Sequence, residues 1–99
     1  MSDQLKPSEI ERLAVLAEEL GEVQQVIGKI LRFGWESRHP DGGPTNRELL
    51  EKELGDVEAA LALMNVKRDV SEINIGRNTE IKIPKLCQYL LHQEEGKKA

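Results

Sequence analysis

Two acidic pairs placed inside helical segments restrict this chain more than any other feature of it. One lies in Glu18-Glu19-Leu20-Gly21-Glu22, the other in Glu53-Leu54-Gly55-Asp56. Residues i and i+3 are neighbours on a helix face, so four acids carried on two helices can converge. At about 100° per residue, Glu53 falls among Leu49, Leu50, Val57, Ala60 and Met64, near the middle of an apolar sector, and Asp56 lies at its edge. Glu19 falls between Leu16, Val23 and Val26 in the same way. An unpaired charge on a core-facing stripe costs on the order of several kcal/mol unless it is neutralised, paired or bound to a cation. Folding alone selects Leu or Ala at such a position.

The rest of the sequence supplies the helices. Pro7, Ser8 and Glu11 read as a capping box that starts a helix at Glu9, with residues 1–7 frayed. Ile10, Leu13, Ala14, Ala17, Leu20, Ile27 and Leu31 then repeat at helical spacing as far as Phe33, and Gly34 is suited to a left-handed stop. That helix is about 25 residues, or roughly 37 Å. Gly21 and Gly28 weaken it by about 1 kcal/mol each and are read as points of close helix packing. The stretch Trp35 to Pro44 is a loop by its turn residues. Thr45 with Glu48 caps a second helix from Asn46 to Val66, with Leu49, Leu50, Leu54, Val57, Ala60, Leu61 and Met64 inward. Two long antiparallel helices follow.

The last third reads two ways. Asp69 with Glu72 resembles a third cap, and Leu86, Cys87, Leu90 and Leu91 keep helical spacing. Ile73-Asn74-Ile75, Gly76-Arg77-Asn78 and Ile81-Lys82-Ile83 also alternate as a hairpin would. The reading adopted is mostly helical from Asp69 to His92, broken or bent between Gly76 and Pro84, with a flexible tail at 94–99. The expected fold class is all-α: two long antiparallel helices plus shorter C-terminal helices in a single domain over 1–99.

Composition narrows the function. With 99 residues and 38% hydrophobic content the core is thin and aliphatic, so burial between subunits is expected to complete it, as a homodimer or homotetramer. A net charge of −4 argues against a nucleic-acid polymer or a membrane surface as partner. No signal-peptide core or long apolar run is present, so a cytoplasmic location is expected. Cys87 alone excludes an internal disulfide and is read as a small core residue.

Carboxylates as the only ligands suit Mg²⁺, with Mn²⁺ as a substitute; Mg²⁺ commonly combines a few acids with waters and phosphate oxygens. A ferritin-like di-iron site also sets acids inside a bundle but needs Glu-x-x-His pairs, and His39 and His92 are not at that spacing. Ordinary solvated charges on Glu-rich helices are the plain alternative, even-handed for Glu18 and poorly suited to Glu53.

The pattern E-E-x-x-E at Glu18, Glu19 and Glu22, followed some thirty residues on by E-x-x-D at Glu53 and Asp56, resembles the MazG-like all-α nucleoside triphosphate pyrophosphohydrolases. The likeness spans roughly residues 10 to 66, and the Leu-Gly inside each half makes it more specific than a lone E-x-x-E. It implies a MazG-like helical bundle completed by oligomerisation, with Mg²⁺ held by Glu19, Glu22, Glu53 and Asp56. The implied reaction cleaves the α–β phosphoanhydride of a nucleoside triphosphate to give a monophosphate and pyrophosphate. Glu18 or Glu22 is the expected proton acceptor. Lys29, Arg32, Lys82 and Lys85 are the expected phosphate ligands, and Trp35 either packs under the loop or offers a surface for the base. Competing readings are a non-catalytic helical oligomer acting by protein contact and a phosphoribosyl-ATP pyrophosphohydrolase of the same fold.

Overall fold

The first helix, α1, spans Pro7–Phe33 in the computed structural model, which describes residues 4–94. It starts two residues before the expected Glu9. Pro7 needs no backbone donor and has φ preset for a first turn. Glu9 then supplies the cap expected of Ser8 and Glu11, its Oε1 accepting from the Lys6 N–H at 2.7 Å. Lys6 and Pro7 are therefore part of the helix start; the expectations for 1–3 and 95–99 lie outside the described residues. At the other end Gly34 takes φ +90° and ψ 172°, a combination essentially confined to glycine, and its N–H donates to Ile30 O at 2.8 Å.

The second helix, α2, spans Asn46–Val66, opened by the predicted capping box. The Glu48 N–H donates to Thr45 Oγ1 at 3.1 Å, and Glu48 Oε1 accepts from the Thr45 N–H at 2.8 Å. It closes in a Schellman motif. Arg68 takes φ +67°, its N–H donates to Asn65 O at 3.0 Å, and the Asp69 N–H reaches Met64 O at 2.8 Å.

α1 packs on α2, and two polar contacts fix them antiparallel. Near the loop, buried Asn46 donates through Nδ2 to Gly34 O at 3.1 Å. At the far end the Arg12 guanidinium grips Asp69 through both carboxylate oxygens, Nη2 to Oδ1 at 3.0 Å, with both side chains about 85% buried. Asp69 is thus the partner of α1 and not the expected cap of a third helix.

The stripe of α1 that faces α2 differs from the expected one. Leu16, Glu19, Val23, Val26 and Ile30 are at least half-buried, whereas Ile10, Leu13, Ala14, Ala17, Leu20, Ile27 and Leu31 are exposed. Both sets recur every three or four residues, about 100° apart round the helix, and periodicity alone does not rank them. On α2 the expected set holds except Leu54, which is exposed. Gly21 and Gly28 do not serve close packing within the chain, since a methyl group at either would meet nothing within 4 Å.

The third helix, α3, is a single element over Glu72–Tyr89 and replaces the expected broken C-terminal helices. Ser71 caps it, Oγ accepting from the Asn74 N–H at 3.2 Å. It continues through Pro84 without the predicted break, and the hairpin alternative does not occur: no strand lies among the described residues. Its residues are exposed, so water can satisfy the carbonyl that Pro84 leaves without a donor. Cys87 is exposed too, not a core residue. The chain divides into two compact units between Asp69 and Val70, with α1 and α2 in the first and α3 in the second.

Removing the Arg12 side chain leaves a largely buried Asp69 carboxylate unpaired. Arg12→Met is expected to lower the melting temperature by roughly 5 °C or more, read by circular dichroism. An unchanged melt would mean the pair contributes nothing to holding α1 on α2.

Candidate metal centre

The helix pairing sets Glu19 and Glu22 of α1 against Glu53 and Asp56 of α2. One carboxylate oxygen from each residue lies within 4.8 Å of all the others. All four are partly buried, and the Glu53 side chain is only 12% exposed. Glu19 and Glu53 occupy core-facing positions between apolar neighbours, as their spacing predicts, and the buried residues Val26, Ala60 and Met64 lie along the same seam. Glu19 Oε2 and Glu53 Oε2 are both shut off from water and have no hydrogen-bond partner among the described residues. Such oxygens carry the full desolvation penalty with nothing returned.

The electrostatics follow from that crowding. Burial pushes the Glu19 carboxyl above its ordinary value of 4.5, and the charges of Asp56, Glu53 and Glu18 push it further. Glu22 is also raised, first by a hydrogen bond shared with Glu53 and then by the charges of Glu53 and Glu19. Among the described residues Lys52 is the one cation ion-paired with the group, with Nζ 2.8 Å from Asp56 Oδ2 and 3.5 Å from Glu53 Oε1. Its role was not anticipated from the sequence, although the i,i+4 spacing of Lys52 and Asp56 was visible there.

A cavity of about 550 Å³ opens toward the loop, bounded by Lys29, Phe33, Arg38, His39, Asn46 and Leu49 among others. Leu49 stands about one helical turn before Glu53, and Lys29 about two turns beyond Glu22, so the cavity neighbours the acids. The loop that walls it is held by an isolated bridge between Arg38 and Thr45 and by Arg38 Nη1 donating to Gly43 O at 3.1 Å. Phe33 was read only as the end of the first helix and His39 only as a rejected iron ligand; neither was read as lining a hollow, because His39 lies in a loop without periodic signal and the facing side of Phe33 depends on that loop.

The remaining expected site residues separate. Glu18 is exposed beside the cluster and outside it. Lys29 lines the cavity, whereas Arg32 is exposed on the last turn of α1 and Trp35 lies outside the lining. Trp35 instead stacks under Arg47, whose Cζ stands 4.7 Å from the ring centre and whose Nε bonds Glu36 at 2.8 Å. Lys82 and Lys85 are on α3 in the second unit, Lys82 beside a shallow cleft with Ile75, Ile83 and Leu86.

The raised acids give the pH dependence a definite sign. Glu19 and Glu22 bind protons more readily folded than unfolded, so stability grows as pH falls from neutral through their raised values, and that gain is complete near the ordinary 4.5. Asp69, lowered first by its bond from Arg12, and Glu48, lowered by Thr45, act oppositely: their contribution is lost as pH falls through their lowered values. Chelator-treated protein is therefore expected to melt higher at about pH 5.5 than at about pH 7.5. A melting temperature that rises steadily toward neutral pH would contradict the crowding of these carboxylates. Comparison of the chain with protein-family models, with curated proteins and with solved structures found no match, which leaves the geometry of Glu19, Glu22, Glu53 and Asp56 to carry the functional reading.

Proposed function

We propose that the chain is a Mg²⁺-dependent nucleoside triphosphate pyrophosphohydrolase of MazG-like type, releasing a nucleoside monophosphate and pyrophosphate. The observation that carries this reading is the pair of buried, partnerless oxygens on Glu19 and Glu53 inside a four-carboxylate cluster. The donors fit a hard divalent ion. One oxygen from each of the four residues lies within 4.8 Å of the others, close enough for a single cation to be shared among them. All are carboxylate oxygens, the class that suits Mg²⁺ and Mn²⁺. Glu19, Glu22, Glu53 and Asp56 would hold the ion. When bound, it neutralises polyphosphate charge and makes a water more acidic.

The chain's own groups divide the remaining work. Glu18 lies outside the four-oxygen cluster and is exposed, so it is the acid left free to take the water's proton while Glu22 is engaged. Lys29 and Arg38 supply positive charge on the wall of the neighbouring cavity, where triphosphate oxygens need it. Phe33 and His39 give that cavity faces on which a base can rest, and its volume suits a nucleoside. Trp35, engaged by Arg47, is left with the role of holding the loop.

A homo-oligomer belongs to the same proposal. Buried apolar residues number three among those described, Val26, Ala60 and Met64, while Leu13, Leu20, Ile27 and Leu31 form an apolar stripe on the outer side of α1. Apolar surface on this scale is what subunit contacts cover. No helix among the described residues is long and apolar enough to cross a membrane.

Three measurements check these statements. In a panel of nucleoside triphosphates with Mg²⁺, pyrophosphate release is expected, and Glu53→Gln should reduce turnover by roughly 100-fold or more. The same variant should melt at or above the wild-type temperature without metal, because it removes a charge from the cluster. Turnover retained in Glu53→Gln would remove the assigned site. Separately, light scattering should give at least twice 11.2 kDa, and Leu20→Glu should shift the protein toward monomer. A wild-type monomer would refute the oligomer.

A further inference from the structure

The position of Lys52 needs its own explanation. Its ammonium spans two of the four acids, 2.8 Å from Asp56 Oδ2 and 3.5 Å from Glu53 Oε1. Among the described residues no other Lys or Arg is ion-paired with Glu19, Glu22, Glu53 or Asp56. A surface helix pair meant only to support α2 would place the acid before the base, since Lys followed by Asp four residues on is the weaker order.

One positive charge at the edge does not satisfy the cluster. Glu19 Oε2 and Glu53 Oε2 remain without partners although Lys52 is engaged. A compact divalent ion among the four oxygens answers more of that charge than a tethered ammonium can. Lys52 is also well placed to leave: its side chain is 64% exposed, and a flexible four-carbon stem regains rotamer freedom when the head swings into water.

We propose that Lys52 is a tethered counter-cation, holding the open side of the acid cluster in metal-free protein and surrendering Asp56 and Glu53 when a divalent ion enters. This rests on the metal-site reading above. The device has two effects. It limits repulsion among the acids before loading, so the two helices stay paired. It also sets the metal affinity below what four free carboxylates would give, because each binding event must displace an ion pair.

The test uses the full chain and MnCl₂ alone, without nucleotide, in calorimetric titrations of wild type, Lys52→Met and Lys67→Met. Methionine keeps much of the lysine stem and removes the charge. Lys52→Met is expected to bind Mn²⁺ about fivefold tighter than wild type, the scale of one exposed ion pair, and to melt lower in chelator. Lys67→Met, whose exposed side chain sits about three turns beyond Asp56 at the end of α2, should not change Mn²⁺ affinity. In wild type, amine modification at Lys52 followed by mass spectrometry should be faster with Mg²⁺ than with chelator. Equal or weaker Mn²⁺ binding by Lys52→Met, with wild type binding normally, overturns the counter-cation while leaving the metal site standing. Absence of Mn²⁺ binding in both proteins overturns the site as well. Binding by Lys52→Met alone supports the displacement in its strongest form.

Discussion

The structure of the first unit depends on a cost placed at its centre: carboxylates in the seam where two helices meet. Glu19 and Glu53 stand where apolar side chains would otherwise join Val26 on the loop side to Ala60 and Met64 on the other. The seam is therefore interrupted by a polar layer whose buried oxygens find no donor. Everything that keeps α1 and α2 in register has to offset that layer.

The devices that fix the register sit at the two ends. Close to the loop, Asn46 is buried and bonds the Gly34 carbonyl, while the Asn46 and Arg47 N–H groups take Ser37 O and Trp35 O at 2.8 and 2.9 Å. The loop is thereby fastened to the first turn of α2. At the other end Arg12 and Asp69 close the pair with a forked contact, and Arg68 in the left-handed region aims Asp69 at α1. With both ends fixed, the middle has little freedom to separate the acids. The four carboxylates are thus held together by contacts made elsewhere in the pair, with their ordering completed before any ligand arrives.

The sequence made parts of this legible for particular reasons. The second helix was readable to the residue because Thr45 and Glu48 form a reciprocal cap whose chemistry is local. The convergence of the four acids was readable because spacing of three on two antiparallel helices is a geometric statement needing no tertiary detail. The inner stripe of α1 was not readable, since Leu13, Leu20 and Ile27 repeat as regularly as Leu16, Val23 and Val26; only the position of Glu19 distinguished the two, and it argued for the correct one. The start of α1 was misplaced because Ser8 and Glu11 imitate a cap, while Pro7 and Glu9 provide the one used. Pro84 was given too much weight as a breaker in a segment exposed to water throughout. Lys52 could not be distinguished in the sequence from an ordinary i,i+4 surface partner of Asp56, and only the distances to Asp56 and Glu53 set it apart.

The most direct test of the central claim is anomalous diffraction from crystals of the full chain grown with Mn²⁺. A peak about 2.2 Å from carboxylate oxygens of Glu19, Glu22, Glu53 and Asp56 is the predicted result. Crystals that hold Mn²⁺ elsewhere, or none, with these four side chains turned apart into solvent, would contradict it.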